Sequence, residues 1–200
     1  MIDQGVYPDG YEDEEGNIQE ARNTDGIRQY LTQSRSSLSP SRWSESEFKQ
    51  FKREDLRAGS ESRVMINVVP LIARFKDRRY NTTGDIPLNN MEKFHPNVTT
   101  PKPGLYYGAS PSQVDSRVQD DISRRPVVPN SFLAGKAKSG NADVAQRQGM
   151  YHGALGARSI HKLQNYGITT PTYDGNAYTI SSSYCDGQLK MYTTHTAPLL

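Results

Sequence analysis

Residues 129–167 read PNSFLAGKAKSGNADVAQRQGMYHGALGARSIHKLQNYG, and the fold turns on them. Ser131 to Ala137 predicts a short buried strand, because its centre is apolar and its first charge is Lys136. Lys138 to Asn141 is a tight polar turn, and a long helix then runs to Tyr166, with Gly167 as a left-handed stop. Gly149, Gly153 and Gly156 fall at i, i+4 and i+7 of that helix, with Ala145, Ile160 and Leu163 on or beside the same face. Each mid-helix glycine costs about 1 kcal/mol relative to alanine, so three of them predict a seam pressed closely against a sheet. Val144, Tyr151 and Leu155 form a neighbouring apolar stripe, with Gln148 set among them.

Upstream, Ser44-Glu45-Ser46-Glu47 is a capping box opening a helix from about 45 to 58, with Phe48, Phe51 and Leu56 able to face a core. Gly59 and Ser60 break it, and a second helix begins at Glu61 with Val64, Val68, Leu71 and Phe75 at helical spacing. Pro70 inside it predicts a kink or an end. Residues 77–103 read as a long loop punctuated by Gly84, Pro87, Pro96, Pro101 and Pro103. Gly104 to Gly108 is a short aromatic strand, and Ser110-Pro111 opens a helix to about Ile122. Downstream, Ala177 to Tyr184 and Gln188 to Thr194 make a hairpin around Asp186-Gly187. The chain stops at Pro198-Leu199-Leu200 with no closing element, the pattern of a fragment.

Composition separates two regions. Residues 1–20 hold seven acids and no Lys or Arg, and residues 32–42 are Ser-rich, so residues 1–40 read as a disordered acidic, then Ser-rich, tail before a domain at 41–200. The whole chain carries 24 basic and 22 acidic residues; without the seven acids of the head, 15 remain against 24, a net charge of +9. Such an excess attracts phosphate, and equally describes a generic basic surface. Cys185 is the single cysteine, which excludes an intrachain disulfide and cysteine-rich zinc sites. The longest apolar stretch, Val64 to Ala73, is broken by Asn67 and Pro70, so the reading is an intracellular protein of cytoplasm or nucleus, not secreted and without a membrane partner.

The order helix, strand, helix, strand, long helix, hairpin resembles the PD-(D/E)XK nuclease-like superfamily, in particular nuclease-like domains of uncharacterised fungal proteins. In that pattern a Pro-Asp begins one strand, a Glu-x-Lys lies on the next, and the following helix carries a Gln and a Tyr. Pro103-Gly104-Leu105-Tyr106-Tyr107-Gly108 looks like the first element and Phe132-Leu133-Ala134-Gly135-Lys136 the second. Gln148 and Tyr151 resemble the helix signature, and Glu61 the acid added from the first core helix. The resemblance covers roughly residues 45–195. It implies an α/β fold, a small mixed sheet flanked by helices, restriction-endonuclease-like. It also implies the chemistry: residues two apart on a strand share a face, so a carboxylate and an ammonium meet there, and paired carboxylates hold Mg²⁺, which activates water.

This chain departs at the acids. The aspartate position is Gly104 and the glutamate position is Ala134, and neither binds a metal. The expectation is therefore a catalytically impaired domain, with Lys136, Gln148, Tyr151 and Glu61 as vestigial catalytic residues and no metal or other cofactor. A basic nucleic-acid-contacting cleft would comprise Lys136, Lys138, Arg147, Gln148 and Tyr151, with DNA or RNA as partner. One alternative is an active Mg²⁺-dependent nuclease with relocated carboxylates, Asp120, Asp121 and Asp143 being the candidates. Another is a protein-interaction or scaffold domain without nucleic acid. Plainer roles stand beside these: Lys136 as a surface lysine, Gln148 as a buried amide, Tyr151 as a core aromatic, Asp143 as a complement to the helix dipole.

Overall fold

Ser44 closes the first turn of helix α2 (Glu45–Arg57) as its sequence predicts: Glu47 N–H donates to the Ser44 hydroxyl at 3.3 Å, and Ser44 N–H donates to the Glu47 carboxylate at 2.7 Å. The computed structural model describes residues 2–34, 39, 41, 43–73, 81–89, 91–109, 113–121 and 128–198. Before α2 lies α1 (Thr24–Thr32), and after it α3 (Glu61–Arg63), capped by Ser60. Pro70 does not end the helical course here. A π-helical segment, Val64–Val68, follows α3 and passes directly into α4 (Val69–Ala73). Val69 N–H donates to the Val64 carbonyl five residues back, so the ladder has widened just before the residue that has no N–H to give. The expected core position Phe75 lies outside the described residues.

Five strands form one mixed sheet in sequence order: β1 (Asn81–Thr83), β2 (Leu105–Ala109), β3 (Val128–Lys136), β4 (Thr179–Cys185) and β5 (Gln188–Thr194). β1, β2 and β3 are an antiparallel meander, with Leu105 opposite Leu133 and Tyr106 opposite Phe132. β1 falls inside the stretch read as loop, where a three-residue strand leaves no period to detect. A short helix, α5 (Ser116–Asp121), precedes β3; the expected helix start at Ser110-Pro111 lies outside the described residues. The crossover helix α6 (Ala142–Gln164) then returns the chain so that β4 runs parallel to β3. Asn141 caps α6: its side-chain oxygen accepts from Asp143 N–H at 2.8 Å and Val144 N–H at 3.3 Å. Gly167 takes the left-handed conformation beyond it, φ +72°. Asp186 and Gly187, both at positive φ, turn β4 into β5.

Helices cover both faces of the sheet. On one, Phe132 and Tyr106 pack with Tyr151 and Leu155 of α6 and with Leu88 and Met91. On the other, Tyr184 and Ala137 pack with Val64, Val68, Val69 and Ala58, and Phe51, Met65, Leu105 and Leu133 join them. Of the three α2 side chains expected in the core only Phe51 reaches it; Phe48 is 44% exposed and Leu56 72%. The glycine seam is present but uneven. A Cβ on Gly156 would lie 2.6 Å from the Phe132 ring and 2.9 Å from the Thr179 methyl, whereas one on Gly149 would meet nothing nearer than 3.8 Å.

Residues 2–34 differ from the tail expected of their composition. Asn23 donates to the Ala177 carbonyl at 2.9 Å and accepts from Ala177 N–H at 2.8 Å, as a neighbouring strand would. Arg22 N–H donates to Gly175 O at 2.9 Å, and Val6 and Ala21 are buried. Long-range amide pairing of this kind leaves no trace in charge or periodicity.

Candidate functional site

Lys136 is the last residue of β3, where the strand leaves the meander for α6. It is only 7% exposed, and its Nζ donates to the carboxylate of Glu61, the first residue of α3. The carboxylate end stays half in water, so the pair is a buried ammonium reaching a solvated partner. Two of the predicted site residues are thus brought together across 75 positions, and the counter-charge missing from position 134 is supplied by Glu61.

Position 104 does not join them as an acid position would. A Cβ built on Gly104 would stand 3.0 Å from the Met65 sulfur and methyl, and one on Gly135 would stand 2.8 Å from the same sulfur. Met65, from the π-helical segment, therefore fills the space in front of both glycines. Ala134, between Gly135 and Leu133, projects to the opposite face of the strand, as does Lys136. It is buried at 5% exposure. Among the described residues no three His, Cys, Asp or Glu side chains are grouped to hold a metal ion. Among the described residues, those at this site do not fit Mg²⁺, which takes several hard oxygen ligands, when Glu61 already accepts from Lys136.

His152 lies within electrostatic reach of Lys136. It is 5% exposed, its ring centroid lies 5.8 Å from that of Phe132, and its Nδ1 has no hydrogen-bond partner. Burial first, and then the charge of Lys136, push its imidazole down to about 4, so the ring is neutral at physiological pH. The sequence assigned no role to His152. The signal was there: His152 lies three residues after Gly149 and four before Gly156, on the seam itself. Asp55 was also missed. It accepts from the Tyr184 hydroxyl at 2.6 Å, and burial and this bond raise the phenol well above its usual range.

The remaining expected contacts disperse. Tyr151 is a core side chain, 9% exposed, 6.1 Å from the Phe94 ring, with burial raising its hydroxyl. Gln148 is half-buried and Arg147 exposed on α6. Lys138 is exposed and pairs with Asp186 of the β4–β5 turn at 3.5 Å. Lys136 and Tyr151 are enclosed, so the five residues do not line one open cleft; Lys138, Arg147 and Gln148 are the three at or near the surface. Asp143 is exposed in the first turn of α6, where it complements the dipole; the side chains of Asp120 and Asp121 lie outside what is described. A small concavity between the far end of α6 and the end of β5 is lined by His161, Asp174, Tyr178 and His195 without a Lys or Arg, so it offers no phosphate-attracting surface.

Compared with family models, with curated proteins and with solved structures, the chain finds no match in any of the three. No helix among the described residues is long and apolar enough to cross a membrane.

Proposed function

We propose that this chain is a catalytically impaired, nuclease-like domain of the restriction-endonuclease-like kind that contacts nucleic acid through backbone phosphates. The observation that carries it is the Lys136–Glu61 pair at the end of β3, with alanine two residues before Lys136 and glycine just before β2. The adjacency of β2 and β3, with Leu105 opposite Leu133, supports the resemblance, which needs the strand opening at position 104 beside the strand carrying Lys136. With the acids gone, the ammonium and its distant carboxylate neutralise each other and hold α3 against the sheet. Phosphate contact then falls to Lys138 in the β3–α6 turn and to Arg147 and Gln148 on α6, in a chain of net charge +2.

Plasmid incubated with the protein and Mg²⁺ or Mn²⁺ stays intact under this reading, and a gel shift at low salt weakens as salt rises. Lys138→Ala with Arg147→Ala reduces the shift. Cleavage abolished by Lys136→Ala establishes the active-nuclease alternative instead. The burial of Lys136 and Tyr151 favours a second reading, a protein-interaction or scaffold domain without nucleic acid. An absence of any shift at low salt selects it.

A further inference from the structure

β5 closes the described sheet on one side, and no described strand pairs with its outer edge. Every second residue of such an edge presents an N–H and a C=O that neighbouring β4 does not use. Gln188, Leu189, Lys190 and Met191 are all exposed, so here the strand is bare on both faces as well as along its edge. Its pairing with β4 sets Leu189 beside Tyr184 and Met191 beside Ser182, which puts both on the face covered by α2 and α4. The helices stop short of them: each keeps 44% of its surface in water. An edge with apolar residues and one charge is the kind that pairs with another strand unless something guards it.

We propose that β5 pairs with β5 of a second copy of this chain, antiparallel about a two-fold axis at Met191, joining two sheets into one. The strand's own sequence selects this occupant. Centred on Met191, the register sets Met191 against Met191, Lys190 against Tyr192, Leu189 against Thr193 and Gln188 against Thr194. Lys190 is the only charge in the strand, and it meets an aromatic ring rather than its own mate. The two-fold axis stands perpendicular to the sheet, so the exposed Leu189 and Met191 of both copies come together on one face and cover each other. The interface is isologous and closed, giving a dimer rather than a fibre.

Sedimentation velocity of the full chain across a range of concentrations reads the association directly; a dimer whose dissociation constant rises about tenfold or more in Met191→Lys is expected, because that change opposes like charges and uncovers two apolar side chains. A wild-type chain that stays monomeric at every concentration overturns the proposal, as does a dimer indifferent to Met191→Lys. Cross-linking tests the register independently. In a Cys185→Ser background, Met191→Cys places two sulfurs on residues whose Cα atoms stand about 4.5 to 5.5 Å apart, within disulfide reach. Mild oxidation is expected to yield a covalent dimer from Met191→Cys and none from Lys190→Cys, which faces Tyr192. Equal cross-linking at both positions refutes the register, and circular dichroism of each variant separates a failure to pair from a failure to fold.

Discussion

Alanine at Gly149 and at Gly156 is expected to change stability in opposite directions, although both glycines lie mid-helix on one face of α6. Removing a mid-helix glycine stabilises by about 1 kcal/mol through the unfolded chain and the helix ladder. At position 149 nothing opposes this: the new methyl finds its nearest neighbour, the Ser181 hydroxyl, at 3.8 Å, an ordinary contact. At position 156 the methyl would lie 2.6 Å from the Phe132 ring and 2.9 Å from the Thr179 methyl, and those side chains are 1% and 0% exposed. Neither has a free end to swing aside, so the overpacking cost sits toward the upper part of its usual range of about 1 to 3 kcal/mol. The net is a gain of about 1 kcal/mol for Gly149→Ala and a loss of about 1 to 2 kcal/mol for Gly156→Ala. Urea unfolding followed by circular dichroism at constant m-value reads both, and in a chain of 200 residues each kcal/mol moves Tm by about 2 to 4 °C. A Gly156→Ala protein as stable as wild type, or more so, would show that α6 does not press on β3 and β4 as described.

His152 supplies a pH dependence. Unfolded, its imidazole titrates near 6.5; folded, near 4. Between those values the unfolded chain binds the extra proton, so stability is full above about 6.5 and falls as the pH drops, by about 3 kcal/mol at pH 4. His152→Phe should flatten that part of the profile in unfolding experiments at pH 7, 5.5 and 4.5; an unchanged slope would assign the acid lability to other groups. For the buried ammonium, Glu61→Gln is expected to destabilise by about 1 to 2 kcal/mol. This is below the 3 to 5 kcal/mol typical of a broken buried pair, because water screens the exposed carboxylate end. Lys136→Met should lie within about 1 kcal/mol of wild type, since it removes the charge and keeps the stem. Equal losses in the two variants would mean that the ammonium makes further contacts of its own.

Short-range chemistry accounts for what was legible in the chain. Ser44 and Glu47 are three residues apart, Asp186 and Gly187 adjacent, and Gly167 sits where a helix needs a left-handed stop; each acts within one turn, so spacing alone predicts it. Strand β1 and the clamp of Asn23 on Ala177 were not legible for the converse reason. A three-residue strand has no period, and a side-chain amide bonded to a backbone 154 residues away leaves no local mark. Pro70 was read as a break because its missing N–H is a local fact, while the widening of the ladder that absorbs it depends on Val64 and Val68 being held in the core.

The sequence by itself determined that Lys136 ends a buried strand, that a glycine-lined helix follows it, and that positions 104 and 134 carry no acid. Only the tertiary structure decided that Glu61 meets Lys136, that Met65 fills the space before Gly104 and Gly135, and that Tyr151 belongs to the core rather than to a cleft. The division follows from reach. Identity and period are written residue by residue, but which ammonium finds which carboxylate, and whether a side chain meets water, depends on how distant segments pack over the same few ångströms.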